Sequence, residues 1–579
     1  MEVEKNNQRS RIRHEPDERP PGLLAAGLGL QLAMLNVAGI VLTPAIVIRA
    51  ADGGETYLAW AVFAVMIISG LSTIIQAVRI GRIGAGYVLA MGTSGAFIAV
   101  CVTALVEGGP ALLATLVIVS SLFQFLLSAR LSLLRHILTP IVSGTVIMLI
   151  PVTVMPIVFD LLLDIPAGSH PAAAPVSALA TLLVVVVIGL KASGILRLWA
   201  LVVGVVAGSL ISGLFGLYDV QRVAEAAWIG GPASGWPGIS LEFGPAFWAL
   251  LPGFVFVTLI GAIETIGDSV AIQRVSWREP RAVDFRAVQG AVGADGIGNL
   301  LSGVLATVPN TTYSSSVAVT ELTGVASRRV GIALGATFLA AAFAPKLLAV
   351  ILAVPGPVVA AYTMVLLSML FVLGMKIVIQ HGVDYRGSII VGVSFWIGVG
   401  CQNGLIFPEI ISNFAGGLLQ NGMTAGGLSA ILMNLFVRAV ASRRRQTELW
   451  LATTSLPWIR EFLADFATRN GMGEPVTSLL ELASEEVLFT LMDEDAADAQ
   501  PRRLRIAIWR DGGDAVLEFV ASPGGENIEN LLTVIKDGPS EPSQDREVSL
   551  RLLRHAASSV NHQQYHDVDI VTVRIEGHR

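Results

Sequence analysis

Charge is scarce in this chain. Of its 579 residues, 14% are Asp, Glu, Lys or Arg, against about a quarter in a soluble globular protein. So few charges cannot clothe a water-facing surface over most of this length, which excludes an ordinary soluble enzyme. Cysteine is nearly absent. Cys101 and Cys401 both sit in apolar runs, so neither a disulfide framework nor a cysteine-based metal centre is expected. No metal and no cofactor are expected at all. Residues 1–20 are polar and contain Pro16 and Pro20, so they do not read as a cleavable signal peptide. Basic excess is also missing. Residues 446–579 hold 23 of the 44 acidic residues and 12 of the 38 basic ones. An acidic tail argues against a nucleic-acid partner.

What the chain has in abundance is apolar sequence, with 53% hydrophobic residues, 59 glycines and 27 prolines. Both Gly and Pro are tolerated in transmembrane helices. Segments of spanning length recur from Gly22 to Val440. They predict an all-α polytopic membrane protein with lipid around it. Fourteen spans are expected, near 22–48, 56–78, 83–105, 110–128, 137–160, 174–190, 196–216, 245–272, 287–306, 312–326, 330–353, 356–379, 388–404 and 413–440. Every second loop is basic, as at Arg79 and Arg82, Arg130 and Arg135, or Arg274, Arg278, Arg281 and Arg286. The other loops carry mainly acids, such as Asp52, Glu55, Glu107 and Asp219. The positive-inside rule then puts both termini in the cytoplasm and requires an even span number. Three parts are expected: an N-terminal cytoplasmic segment 1–20, a membrane domain 21–445 with halves near 22–216 and 245–440, and a cytoplasmic domain 446–579.

Two carboxylates interrupt the eighth span. Glu264 and Asp268 are four residues apart in otherwise apolar sequence, so on a helix they share one face. A carboxylate at membrane depth costs several kcal/mol by most estimates and normally faces a cavity on an ion or substrate path. The alternative is a structural ion pair, but no basic residue lies within that span, and Lys346 alone stands out at such depth. A second polar stretch, Asn310 to Ser316, interrupts the tenth span. The third span has a matching small, polar break around Gly92-Thr93-Ser94-Gly95. Spans 3 and 10 are each third in a set of seven, and seven is odd, so the halves have opposite orientation. Broken spans in matching positions point to the binding site of an inverted-repeat transporter. Half-helices there aim backbone N–H groups at a bound solute.

At these residues the chain resembles the nucleobase–ascorbate permeases (nucleobase–cation symporter 2), which include the xanthine and uracil permeases. The resemblance covers roughly residues 22–440. It rests on Leu28–Gln31, Glu264–Asp268, Asp295–Gly303, Pro309–Tyr313, Thr323–Arg328 and Asn421–Ala430, in that order along the chain. It implies a 7+7 inverted repeat with short strands in spans 3 and 10. Core and gate domains would move against each other, importing a nucleobase with a proton or sodium ion by alternating access. A homodimer in the bacterial inner (plasma) membrane is implied as well. By the same resemblance Glu264 is the substrate-clamping glutamate, and Asp268 is the acid typical of purine-type members. Asp295 is the span 9 aspartate. Glu264, Asp268 and Asp295 would carry the proton. Ser94 and Gly95 would offer backbone N–H groups, and Tyr313, Ser314 and Ser315 would line the substrate. The pattern breaks at one place. Ser315 stands where the family has Gln or Glu, and Ser316 where it has Asn. A longer amide or carboxylate contact becomes at best one hydroxyl contact.

Residues 446–579 read as an α/β domain. Helices are expected at Ile459–Asn470, Val476–Met492 and Asp545–His562, and strands at Leu504–Trp509, Val516–Val520 and Val568–Ile575. The order resembles the ATP-binding domain of anti-sigma-factor-like serine kinases. Phe489 falls where that family has its magnesium-holding Asn, and Ala521–Gly525 is the nearest counterpart of its glycine loop. Those departures imply that nucleotide binding is lost. A regulatory or dimerisation domain of another kind is the alternative. Three functions follow for the whole chain: a proton-coupled nucleobase symporter, an anion or sulfate transporter of the same 7+7 architecture, and a membrane sensor signalling through the tail.

Overall fold

The computed structural model describes residues 12–134, 139–166, 168–232, 234–279, 281–379, 384–411, 419, 421–440, 444–492, 502–511, 513–523, 527–529 and 545–577. Contacts divide the chain into two units, residues 1–278 with 287–437, and residues 279–286 with 438–579.

The first unit is helical. Its principal helices are α1 (Gly22–Ala50), α2 (Glu55–Val78), α3 (Ile98–Ala129), α4 (Pro140–Leu161), α5 (Ala173–Lys191), α6 (Ala200–Leu214), α7 (Pro245–Arg274), α8 (Phe285–Val304), α9 (Ser315–Thr323), α10 (Arg328–Ala342), α11 (Pro345–Leu352), α12 (Gly356–Ile379), α13 (Tyr385–Gln402) and α14 (Gly422–Val440). Among the described residues, seven helices are long and apolar enough to cross a membrane, or eight if the bent pair α10 and α11 is one span. The expected span 356–379 coincides with α12, and 245–272 with all but the last two residues of α7.

One expected span differs in shape. Residues 330–353 do not form one helix, because α10 and α11 meet at 86°. Pro345 opens α11 and Ala344 before it is non-helical, since proline lacks an N–H and excludes the α conformation from the preceding residue. The expected division between spans 3 and 4 falls within α3 at a non-helical break, Gly109, whose φ of 70° suits glycine, with Pro110 after it. The start of the last expected span, 412–418, lies outside the described residues.

Apolar side chains from α3, α4, α7 and α12 form one buried cluster, and those from α1, α2 and α10 form another. Small residues let the helices close. A Cβ on Gly144 of α4 would meet the Gly374 carbonyl of α12 at 2.5 Å, and one on Gly374 would meet the Gly144 carbonyl at 2.7 Å. Such close approach is how helices pack without a hydrophobic driving force between them. Two four-residue strands, β1 (Ala90–Thr93) and β2 (Asn310–Tyr313), lie within this unit.

The described N-terminal stretch is tied down. Arg278 donates to both oxygens of Glu18, at 2.6 and 2.7 Å, and holds that carboxyl below the usual range.

The second unit carries a five-stranded antiparallel sheet of order β3-β4-β5-β7-β6. The strands are β3 (Arg445–Trp450), β4 (Arg503–Asp511), β5 (Asp514–Ala521), β6 (Ser559–Gln564) and β7 (Asp569–Ile575). Helices α15 (Leu456–Arg469), α16 (Glu474–Leu491) and α17 (Asp545–Ala556) accompany it. Leu504, Ile506 and Ile508 alternate inward from β4 and meet Leu463, Leu480 and Val487 of the helices in one core. The expected helix 545–562 ends at Ala556, and residues 559–562 belong to β6. They pair with β7, and tertiary pairing overrides a weak local preference. β3 has no counterpart in the sequence reading; its charged and polar alternation (R-Q-T-E-L-W) hides an edge strand. Gly524 and Gly525 of the expected loop lie outside the described residues.

Candidate functional site

The site is built around a pair of strands inside the helical unit. β1 and β2 run antiparallel with Ala90 opposite Tyr313, Met91 opposite Thr312, Gly92 opposite Thr311 and Thr93 opposite Asn310. Non-helical backbone at membrane depth must satisfy its polar groups within the protein, and each strand satisfies the other. Thr311, Thr312 and Tyr313 favour the extended conformation. Gly92 leaves room for a ring, since a Cβ there would lie 2.5 Å from Tyr313 Cζ. Each strand leads into a helix start, at the Gly95–Phe97 turn before α3 and at Ser315 of α9. Free N–H groups and the positive end of the helix dipole gather at such ends.

Three carboxyl groups converge on β2. Glu264 and Asp268 come from adjacent turns of α7 and Asp295 from α8. Asp268 accepts from Thr312 Oγ1 at 2.8 Å and from Ser314 Oγ at 2.5 Å. Glu264 Oε2 accepts a longer bond from Thr311 Oγ1 at 3.5 Å. Asp295 is reached indirectly. Its Oδ2 accepts from Gln124 Nε2 at 2.6 Å and from Thr265 Oγ1 at 2.9 Å. Asn299 Nδ2 donates to Gln124 Oε1 at 2.7 Å, and the Asn310 backbone N–H donates to Asn299 Oδ1 at 2.6 Å. One polarised chain of hydrogen bonds therefore links the first residue of β2 to Asp295. Among the described residues no Lys or Arg is bonded to any of the three acids. Asp268 and Asp295 both lie within electrostatic reach of Glu264.

Accessibility separates them. Asp295 is fully buried and Asp268 nearly so, whereas Glu264 is half-buried. A partly exposed carboxylate on an otherwise apolar helix normally faces a cavity on an ion or substrate path. Near it, Ser314 is exposed, Ser315 and Gly95 are partly exposed, and a Cβ on Gly95 or Gly267 would meet no atom within 4 Å. Lys346 is occupied elsewhere. Its ammonium donates to the Ala224 and Ala226 carbonyls at 3.3 Å and sits 4.8 Å from the Trp228 ring centre.

The remaining sequence candidates fall into two roles. Ser94 is buried and its backbone N–H donates to the Pro309 carbonyl at 2.9 Å, so it joins the two breaks to each other. Tyr313 donates its hydroxyl to the Thr93 carbonyl at 3.0 Å, which braces β1. Ser316 Oγ accepts from the Ala90 N–H at 3.3 Å and donates to the Tyr313 carbonyl at 2.9 Å. Sequence reasoning did not pick out Asn36, Gln124, Thr265 or Asn299. Asn36 of α1 accepts from Ser315 Oγ at 2.7 Å. The available signal was a lone amide in an apolar span for Asn36 and Gln124, and for Asn299 its place four residues after Asp295.

Comparison with known proteins places the chain. The xanthine/uracil permease model, described as "Permease family", matches residues 25–406. The xanthine permease XanP of Escherichia coli K12 is 29% identical over 455 residues, which cover 74% of this chain and 95% of XanP. The xanthine permease XanQ of the same strain is 27% identical over 449 residues, 75% of this chain and 95% of XanQ. The nucleobase transporter PlUacP of Paenibacillus larvae is 26% identical over 437 residues, covering 73% and 96%. Among solved structures, the transmembrane domain of the cyanobacterium bicarbonate transporter BicA aligns with a TM-score of 0.44 at 16% identity, over 74% of this chain and all of that one. Murine Slc26a9 aligns at 0.45 and 13%, covering 74% and 70%. The family match spans well over half of the sequence, and the chain belongs to the permease family: it is a multi-pass membrane transporter, not an enzyme.

Proposed function

We propose that the protein is a proton-coupled symporter that carries a nucleobase-like heterocycle across the bacterial inner membrane by alternating access. The observation that supports this most is the half-buried Glu264 beside the β1–β2 pair, flanked by two helix starts and by Asp268 one turn away. A carboxylate accepts ring N–H bonds, and helix N-termini donate to ring carbonyls. A heterocyclic lactam presents both. The names of XanP, XanQ and PlUacP agree with such a substrate. Glu264, Ser314, Ser315 and Gly95 would meet the solute, with Ser94 and Tyr313 holding the strands that frame it. Asp268, Asp295 and Glu264 would handle the proton, since three acids without a bonded cation can exchange one during a transport cycle.

The same reading includes fourteen spans as a 7+7 inverted repeat, core and gate domains, a homodimer, and cytoplasmic termini. It divides the chain at 1–20, 21–445 and 446–579, with the last part a cytoplasmic α/β domain.

Proteoliposome uptake tests it. Labelled xanthine, hypoxanthine or uracil should accumulate when the outside is made acidic, and a protonophore should abolish accumulation. Accumulation driven only by a sodium gradient would remove the proton from the reading. Uptake of small inorganic anions and of no heterocycle would overturn the reading as a whole.

A further inference from the structure

The described N-terminal residues are bonded to two places far along the chain. On one side they run beside the turn between α9 and α10. His14 bridges Val325 in parallel register, and the Arg13 and His14 N–H groups donate to the Gly324 carbonyl at 2.7 and 3.1 Å. Ser327 Oγ donates to the Glu18 carbonyl at 2.7 Å, and Arg328 pairs with Asp17 at 2.9 Å. On the other side they hold Arg278, four residues past the end of α7. Besides its two bonds to Glu18, Arg278 donates from Nε and Nη2 to the Ile12 and Arg13 carbonyls at 3.2 and 2.8 Å. Its backbone N–H donates to Glu15 Oε1 at 3.1 Å. A guanidinium is a rigid fork, so these bonds fix direction as well as distance.

The two tied elements are the ones that meet at Asp268. Asp268 lies about 9 Å along the helix axis from the end of α7. The hydroxyls it accepts from, on Thr312 and Ser314, stand just before α9, whose nine residues span about 13 Å to Gly324. Between these two ties is a small apolar cluster that includes Ile272 of α7, with Val317 of α9 packed against it. Apolar contact is non-directional and leaves one helix free to slide on the other. Hydrogen bonds are directional and do not. We propose that residues 12–18 form a positioning strap, which fixes α7 against β2 and α9 from their far ends and so sets the reach of Thr312 and Ser314 to Asp268. Glu18 and Arg278 act through that geometry and touch no solute. The inference rests on the Asp268 cluster as the working part of the transporter and is independent of which solute it carries.

Arg278→Ala in the full-length protein cuts the strap from α7. Hydrogen exchange needs no solute. Exchange in the last two turns of α7 and through α9 should rise by at least about tenfold, while β1, bonded to α2, stays as in the wild type. Adding Glu18→Ala to Arg278→Ala should change nothing further. In proteoliposomes, maximal uptake of labelled xanthine, hypoxanthine or uracil per folded molecule should fall about tenfold. The concentration for half-maximal uptake should stay within about twofold, because Glu264 is not displaced. Should Arg278→Ala not fold, Glu18→Gln, which keeps the size and removes the charge, carries the same test. Faster exchange confined to residues 12–18 and 324–328, or unchanged uptake per folded molecule, would make the strap a local brace and overturn the inference. A wild type that accumulates none of the three heterocycles overturns the nucleobase reading alone, and the exchange pattern still decides this one.

Discussion

The two broken spans differ in what they hold. β1 is tied to the scaffold: the Met91 N–H donates to Thr73 Oγ1 at 3.0 Å, Thr93 Oγ1 donates to the Gly39 carbonyl at 3.2 Å, and the Ala90 N–H donates to Ser316. β2 is tied to acids. Asn310 reaches Asp295 through Asn299 and Gln124, Thr311 reaches Glu264, and Thr312 with Ser314 reaches Asp268. Hydrogen bonds to a carboxylate are about twice as strong as neutral ones and depend on its charge. The scaffold bonds of β1 do not. The two strands form one sheet, yet only one of them should respond when an acid gains or loses a proton.

The sharpest way to break this contrast is Glu264→Gln. We expect uptake to fall by at least about a hundredfold, because the amide offers one uncharged acceptor oxygen where the carboxylate offers two charged ones, and it cannot carry the proton. Insertion and folding should persist, as judged by size-exclusion behaviour in detergent. Normal uptake at normal expression would remove Glu264 from the site.

Asp268→Asn should act next most strongly. One of the two hydroxyls, Thr312 or Ser314, then loses its acceptor, and uptake should drop about tenfold. The pH profile of the remaining uptake should also flatten. An unchanged profile would separate Asp268 from proton movement.

Gln124→Leu tests the relay to Asp295. It removes one of the two donors to Asp295 and leaves Asn299 Nδ2 without its acceptor, at a cost of about 1–3 kcal/mol in stability. Uptake per folded molecule should fall a few-fold, and its pH dependence should shift. A loss of stability with an unchanged pH dependence would make the chain of amides a structural brace.

Thr73→Val is the matching change on β1. The Met91 N–H loses its side-chain acceptor, and stability should again fall by about 1–3 kcal/mol. Uptake per folded molecule should stay within about twofold of wild type, and its pH profile should not move. A shifted profile would erase the distinction between the strands.

The second unit provides a control with no expected effect on uptake at neutral pH. Burial, with a smaller effect from Arg286, pushes the His562 imidazole down to about 4, from an ordinary value of about 6.5. Its Nδ1 accepts from the Ile528 N–H at 3.0 Å, which requires the neutral ring. A depressed folded value means that this stabilisation is complete above about pH 6.5 and is lost as pH falls toward 4, roughly 3 kcal/mol in all. Hydrogen exchange of β6 and β7 in the full-length protein should show protection falling over that window. His562→Gln keeps an acceptor and should remove this part of the pH dependence. Equal pH dependence in both proteins would show that His562 does not titrate with unfolding.

Asp268 and Asn36 mark the limits of what the sequence carried. Asp268 was legible because two acids four apart in an apolar run define a helix face in a window of five residues. The kink at Pro345 was equally local in cause, yet its 86° angle exceeded what an unbroken hydropathy run suggests. Asn36 gave only a weak signal, since a single amide in a span is as often a packing residue as a contact. β3 was missed because edge strands need no apolar alternation on both faces.

The sequence by itself determined which segments are apolar enough to span a membrane, where two of them break, and which acids share a helix face. Each of those follows from periodicity and transfer free energy within some twenty neighbouring residues. The tertiary structure decided which polar groups meet: Ser315 with Asn36 across 279 positions, Gln124 with Asp295 across 171, and β1 with β2. Local sequence cannot specify such pairs, because a buried donor accepts any partner of suitable geometry, and only the packed helices fix which one is within 3 Å.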